Sequence, residues 1–347
     1  MGTERKAERP WRVVFSQRLG RPLPWEEEAL VAAGASVEVA PLWTEEEILR
    51  HATDADAFIL GTVEPFNRRV IQGLSRCRVV SRRGVGIDNV DTAAATEEGI
   101  FVAYVPDASI AEVSDHALAL LLALARRVLP LHQAIKAGLW RKDSTVVADT
   151  REPIERLSQQ TLGMVGIGRI GLALAQKARP LGLRLQAYDP YVDPQVAAQH
   201  QIQLVGFEEL LRECDLFSIH TPLTEATYHL FNDHAFSLMK PTAFLVNTAR
   251  GELVDSQALY RALSQGRIAG AALDVTEQEP LPPDDPLLTL DNLFLTGHSA
   301  FYSRAAADDL RHRSVEAVVL AIQGRVPPHL ANPEVCSRPN RRIPGDP

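Results

Sequence analysis

Little in this chain suggests a covalent staple, a membrane span or a grip on a polyanion. Only three cysteines occur, Cys77, Cys214 and Cys336, and none belongs to a CxxC pair. That argues against a disulfide framework or a thiolate zinc site and suits thiols in a reducing compartment. Basic residues are outnumbered, with 36 Lys and Arg against 44 Asp and Glu and a formal charge of -8. No Lys/Arg block is interleaved with aromatics, so direct nucleic-acid binding is not expected. Long apolar runs are missing too. The longest, Ala117 to Ala125, is far too short to span a bilayer, and the start, "MGTERKAERP", is polar rather than a charged-then-apolar signal. The expectation is a cytoplasmic protein with no membrane partner.

What is present is core-forming material. At 347 residues and 46% hydrophobic content, two domains are expected rather than one, because single cores stop growing with length. Strand and helix patterns alternate from the start: "WRVVFS" reads as a buried strand, "WEEEALVAAGA" as a helix ending at Gly34, and "SVEVA" as the next strand. "EEEILRHA", "AFILG", "RRVIQGL" and "RVVSRRG" continue the alternation, which implies a parallel sheet covered on both faces. After "IFVAYVP", the stretch "SIAEVSDHALALLLALARRV" reads as one long, largely buried helix that carries the chain from one domain into the next. Leu129 to Gln160 read as irregular, packed against something such as a second subunit. The closing "RPNRRIPGDP" is Pro-rich and charged and is expected to be disordered.

The strongest local signal is Gly166-x-Gly168-x-x-Gly171, preceded by the strand-like "TLGMVG" and followed by an unbroken helical run. Alone such a pattern is weak, but here strand, turn and helix lead into a second strand, "LRLQAYDP", that ends in Asp189 about 20 residues further on. In this arrangement Gly166 permits the turn, Gly168 lets backbone approach a pyrophosphate and Gly171 allows close helix packing, with the diphosphate on the helix N-terminus. Asp189 would accept hydrogen bonds from ribose hydroxyls and repel a 2′-phosphate; Pro190 and Tyr191 follow it where an Arg would suit NADP. The expected cofactor is NAD.

Three further stretches each end a predicted strand, where ligands collect in open α/β sheets. "AFLVNTARGELVD" breaks near Arg250, whose planar guanidinium can grip a carboxylate. "GAALDVTEQEP" breaks at Asp274 and reaches Glu279, and "LFLTGHSAFYS" breaks at His298. Singly, each is an ordinary surface residue. Jointly, they suggest a site.

Together "GMVGIGRIG", "NTARGELVD", "ALDVTEQEP" and "RRGVGIDNVD" resemble, in order and spacing, the signatures of the D-isomer specific 2-hydroxyacid dehydrogenases, a family that includes phosphoglycerate and glycerate dehydrogenases and the C-terminal binding protein corepressors. The resemblance runs from about Trp11 to Asn332. It implies an α/β architecture: a Rossmann doubly wound parallel sheet for NAD, residues 108–299, and a discontinuous flavodoxin-like α/β substrate-binding domain, residues 1–107 and 300–347. The cleft would lie between them, with hinges near Pro106 and Ser299. The same resemblance gives Arg250 the substrate-orienting role, makes His298 the proton-transferring histidine and pairs it with Glu279. It adds Arg169, Ile170, Thr221, Thr248, Ala249 and Asp274 as cofactor contacts, and Arg82, Val85, Gly86 and Phe301 as substrate contacts.

No metal is needed on this reading, because Arg250 and His298 can neutralise charge developing on the reacting oxygen. The partner is a small 2-hydroxy or 2-keto acid, such as 3-phosphoglycerate, glycerate, hydroxypyruvate or glyoxylate, and the assembly a homodimer through the cofactor domain. Arg82 and Arg83 could serve a phosphate, a second carboxylate or only the common carboxylate. The chain departs from the family at Gly297, where Pro is usual before the histidine, which is expected to loosen that loop. "SAFYS" most resembles the corepressor branch, so an NAD(H)-sensing dimer that recruits partners is the alternative function; a third is oxidation of a donor such as phosphite. With so few residues after the last helix, the regulatory domain that some phosphoglycerate dehydrogenases carry is not expected.

Overall fold

The structure, a computed structural model, describes residues 9–344; the first eight residues and the last three of the Pro-rich tail lie outside the described residues. Two compact units divide the chain, Met1–Ala108 with Ser303–Pro347, and Ser109–Tyr302. Phe301, placed with the substrate-binding domain from sequence, belongs to the second unit. Bonds from the Ser299 and Ala300 amides to Asp274 hold this stretch to its own sheet.

The first unit opens β1 (Trp11–Ser16), α1 (Pro24–Ala32), β2 (Ala35–Ala40), α2 (Glu45–His51), β3 (Ala57–Leu60), α3 (Arg68–Gly73), β4 (Val79–Arg82), α4 (Thr92–Glu97) and β5 (Phe101–Ala103). The strands form one parallel sheet in the order β2-β1-β3-β4-β5. β3 and β4 are buried along their whole length, as strands covered on both faces are; β3 is continuously apolar, whereas β4 ends in buried Ser81 and Arg82.

The second unit begins with α5 (Ile110–Ala125), α6 (Val128–Lys136), α7 (Leu139–Lys142) and α8 (Ser144–Arg151). It continues with β6 (Thr161–Val165), α9 (Arg169–Ala178), β7 (Arg184–Tyr188), α10 (Pro194–Gln199), β8 (Gln203–Leu204), α11 (Phe207–Glu213) and β9 (Leu216–Ile219). α12 (Asp233–Leu238), β10 (Phe244–Asn247), α13 (Ser256–Ser264), β11 (Gly270–Leu273) and β12 (Leu293–Leu295) complete it. Its parallel sheet runs β12-β11-β10-β9-β6-β7-β8, so the strand order reverses between β6 and β9. Ligands of such sheets bind outside the carboxyl ends of the strands at that reversal. The glycine turn follows β6 and Thr221 follows β9.

Three expectations are corrected. The single long helix stops at Ala125, because Arg127 turns left-handed (φ 52°) with its guanidinium 4.9 Å over the Phe244 ring. Residues 129–160 are largely helical rather than irregular: α6, α7 and α8 are separated by left-handed Gly138 (φ 75°) and by Asp143, whose carboxylate accepts the Thr145 amide. The tail is ordered through Pro344. Ile343 is fully buried, and Arg342 donates to the carbonyls of Leu74 and Cys77. Before it, the last long helix, α14 (Arg304–Ile322), lays Val315 and Val318 on the core of the first unit.

Among the described residues no single helix is long and apolar enough to cross a membrane. α5 and α6 together have the composition but bend by 60° at their break, and α5 is core-packed through Ala117, Leu121 and Leu124.

Candidate active site

At the glycine turn the backbone itself explains two of the three glycines. Gly166 has φ 87°, and a Cβ there would lie 2.9 Å from the backbone of His220 and Thr221 at the end of β9; a Cβ on Gly171 would lie 2.5 Å from the Gly166 carbonyl oxygen. Gly168 differs. A Cβ there meets nothing within 4 Å, so the open space in front of the α9 N-terminus, not the protein, calls for glycine. α9 starts with no side-chain cap, leaving its first amides for an anion. Arg169 is exposed and Ile170 half-buried in that first turn.

Asp189 ends β7, the neighbour of β6. One carboxylate oxygen accepts the Ile167 amide at 2.9 Å, the other the Tyr191 and Val192 amides at 3.0 and 3.2 Å. It therefore fastens the glycine turn to the adjacent strand, a task its sequence position did not reveal.

Across the reversal, β10, β11 and β12 are adjacent, and their carboxyl ends deliver Arg250, Asp274 and His298. Asn247 is fully buried and shapes the first turn, donating to the Arg250 carbonyl at 2.7 Å and accepting the Ala249 amide at 3.0 Å. Arg250 is half-buried and donates to the Ala249 carbonyl at 2.6 Å. A Cβ on Gly251 would fall 2.0 Å from the Thr276 carbonyl carbon, so this turn lies flat on the loop that carries Glu279. The hydroxyl of Thr248 is buried with no hydrogen-bond partner among the described residues. Thr221 and Ala249 are half-buried.

Glu279 and His298 meet. Oε2 of the glutamate lies 2.7 Å from Nδ1 of the imidazole, while Oε1 accepts the Thr276 amide at 3.1 Å. A carboxylate at Nδ1 fixes the tautomer, with the proton there, and leaves Nε2 outward. The His298 backbone is left-handed (φ 54°), as is Gly297 (φ 62°), a conformation closed to the proline usual at that position. The loop is not loosened by this glycine, because Asp274 binds it from several sides. The buried aspartate accepts the Thr296 hydroxyl (2.6 Å) and the Ser299 and Ala300 amides (2.9 Å each), and its carbonyl accepts the His298 amide at 2.5 Å. Phe301 stands edge-on to the imidazole, centroids 6.3 Å apart.

Arg82, Val85 and Gly86 belong to the first unit, at the end of β4. Arg82 is buried and curls under the loop, donating to the Arg83 carbonyl at 2.8 Å, and its guanidinium fills the place a Cβ on Gly84 would need. Val85 and Gly86 are half-buried. Arg83 is not a site residue. Its side chain is buried against the fully buried Glu26 (2.5 Å) and Ser314 (3.0 Å), and burial pulls it below its ordinary pKa despite the glutamate. No group of three or more His, Cys, Asp or Glu among the described residues is placed to hold a metal ion.

A doubly wound parallel sheet with a glycine turn at its strand reversal and an acid after the next strand is the arrangement of a dinucleotide-binding domain. Residues 118–300 match the family model described as D-isomer specific 2-hydroxyacid dehydrogenase, NAD binding domain. A glyoxylate reductase of Korarchaeum cryptofilum is 38% identical over 304 residues, 85% of this chain and 90% of that protein. The D-3-phosphoglycerate dehydrogenase of Methanocaldococcus jannaschii is 38% identical over 297 residues, 85% of this chain but only 55% of its own length. Among solved structures, D-lactate dehydrogenase from Aquifex aeolicus complexed with NAD and lactic acid superimposes with a TM-score of 0.81 at 27% identity, covering 92% of this chain and 99% of that one. The chain belongs to the D-isomer specific 2-hydroxyacid dehydrogenase family. It is an oxidoreductase that uses NAD, and the open space at Gly168 and the orphan hydroxyl of Thr248 fit that cofactor.

Proposed function

We propose that the chain interconverts small, unphosphorylated 2-keto and 2-hydroxy acids of the size of glyoxylate or hydroxypyruvate. The His298–Glu279 pair carries this reading: a carboxylate on Nδ1 holds the ring and aims Nε2 at a substrate oxygen. The bound dinucleotide supplies or receives the hydride. In the reducing direction His298 gives the proton at Nε2 to the keto oxygen, and Arg250 orients the substrate and offsets the charge gathering on that oxygen. Arg82 and the backbone at Val85 and Gly86 take the substrate carboxylate, and Phe301 walls the variable end. Arg169, Ile170, Thr221, Thr248, Ala249 and Asp274 join Gly166, Gly168, Gly171 and Asp189 around the cofactor.

A phosphorylated substrate would call on both arginines after β4, and Arg83 is committed to Glu26. The protein acts in the cytoplasm as a homodimer joined through the cofactor domain; exposed Val128, Leu129, Ile135 and Trp140 on α6 and α7 support that surface. The test is NADH consumption with glyoxylate, hydroxypyruvate, phosphohydroxypyruvate and longer 2-keto acids. Turnover is expected to be greatest with the first two; a preference for phosphohydroxypyruvate overturns the substrate assignment.

A further inference from the structure

Behind the His298 loop stands a second histidine that none of the chemistry above employs. His116 projects from α5, its Nε2 3.0 Å from the Thr296 hydroxyl oxygen and 3.7 Å from the nearer carboxylate oxygen of Asp274. The Thr296 hydroxyl has one proton, and its 2.6 Å contact with Asp274 claims it. Its oxygen therefore accepts, and His116 must carry its proton on Nε2. The bonds converge on Asp274: His116 donates to Thr296 and Thr296 to the Asp274 carboxylate, which also accepts the Ser299 and Ala300 amides, while the Asp274 carbonyl accepts the amide of left-handed His298.

The base of this relay is itself anchored. Lys177 of α9 reaches the α5 turn beside His116, donating to the Ala111 carbonyl (3.0 Å) and the Ser114 hydroxyl (2.7 Å) and pairing with Asp115 at 2.7 Å. α9 is the helix whose N-terminus faces the open space at Gly168.

We infer that His116 is a positioning residue for the proton transfer: through Thr296 and Asp274 it fixes the backbone that presents the His298 imidazole. A left-handed conformation at a residue with a side chain persists only where its surroundings over-determine it, and this relay supplies much of that determination. The inference rests on the reading of His298 as the proton donor.

The test compares His116→Leu, which keeps bulk and loses the donor, with His116→Gln, which keeps an N–H at similar reach. NADH-driven glyoxylate reduction, NADH affinity by fluorescence, and the His298 ring resonances by NMR without cofactor are measured for each. His116→Leu is expected to lower kcat about tenfold, roughly the worth of one hydrogen bond, to leave the NADH Kd within about twofold, and to shift the His298 resonances; His116→Gln should recover most of both. Unmoved resonances with kcat within about twofold of the parent, or equal impairment of the two variants, overturn the inference. Should His116→Leu fail to fold, Thr296→Val breaks the same relay, and parent-like kcat and resonances there overturn it equally. A His298→Ala variant that turned over glyoxylate like the parent would sink the proton-donor reading instead, and the NMR comparison would still report on His116.

Discussion

Nδ1 of His298 lies 2.7 Å from Oε2 of Glu279, and the other oxygen of that glutamate is already tied to the Thr276 amide. The carboxylate is thus held from its own loop before it meets the imidazole. Replacing His298 by Ala removes the proton donor and should reduce kcat by ~10²–10⁴-fold, the usual worth of general acid–base catalysis, with NADH Kd nearly unchanged. Glu279→Gln keeps a hydrogen bond that orients the ring but loses the carboxylate, so its loss should be smaller, about 10–100-fold, and should fall on kcat rather than KM. Stopped-flow hydride transfer in the two variants checks the order; a Glu279→Gln defect larger than that of His298→Ala would contradict it.

Asp189 presents one carboxylate to two tasks. It would meet the ribose hydroxyls, and it already accepts the Ile167 amide that fastens the glycine turn. Asp189→Ala should therefore relax discrimination against NADPH and also weaken NADH, about tenfold or more, because an amide beside the diphosphate loses its partner. Asp189→Asn keeps an acceptor and loses the charge, so its NADH affinity should stay nearer the parent while the NADPH to NADH ratio still rises. Kd values for both cofactors decide; identical behaviour of the two variants would mean that the Ile167 bond contributes nothing.

Much of this was legible because apolar runs and glycine spacing are local. The strands of both sheets, the turn from Gly166 to Gly171 and the acid at 189 each declare themselves within a few residues. Asn247 and Asp274 did not disclose their structural work. Apart from the Thr296 hydroxyl on Asp274, their partners are backbone amides and carbonyls, which every residue owns, so little in the side-chain pattern marks them. The ion pair of Arg83 was hidden for a different reason: its partner Glu26 lies 57 positions away, in the first turn of α1. The ordered tail was hidden likewise, since Arg342 binds main-chain carbonyls of Leu74 and Cys77. Nor did the motifs separate a turning-over enzyme from a corepressor-like sensor, since the resemblance covers both kinds.

Thr248 holds a buried hydroxyl with no hydrogen-bond partner. A polar atom desolvated without a partner is a cost to the unliganded fold and an opening for a ligand. Thr248→Val, nearly the same in shape, should leave the melting temperature of the free protein unchanged or raise it slightly. It should weaken NADH by roughly 3–10-fold, the worth of about one hydrogen bond. A destabilised free protein with normal NADH affinity would assign the hydroxyl to the fold instead.

His220 ends the strand against which Gly166 packs, its amide donating to the Val165 carbonyl at 2.7 Å and its Nε2 lying 2.8 Å from the Ser218 hydroxyl. Burial pulls its imidazole from 6.5 down to about 4. Between those values the unfolded chain binds a proton that the folded chain refuses, so stability from this residue is complete above 6.5 and is lost as the pH falls toward 4. The whole step is at most about 3 kcal/mol, of which about 2 kcal/mol should be lost by a pH of about 5. Urea unfolding of the parent and of His220→Gln at about pH 7.5 and 5 isolates it, because other titrating groups are common to both proteins. The parent should lose more stability than the variant on acidification; parallel losses would mean that the imidazole is as easily protonated in the folded chain as in the unfolded one.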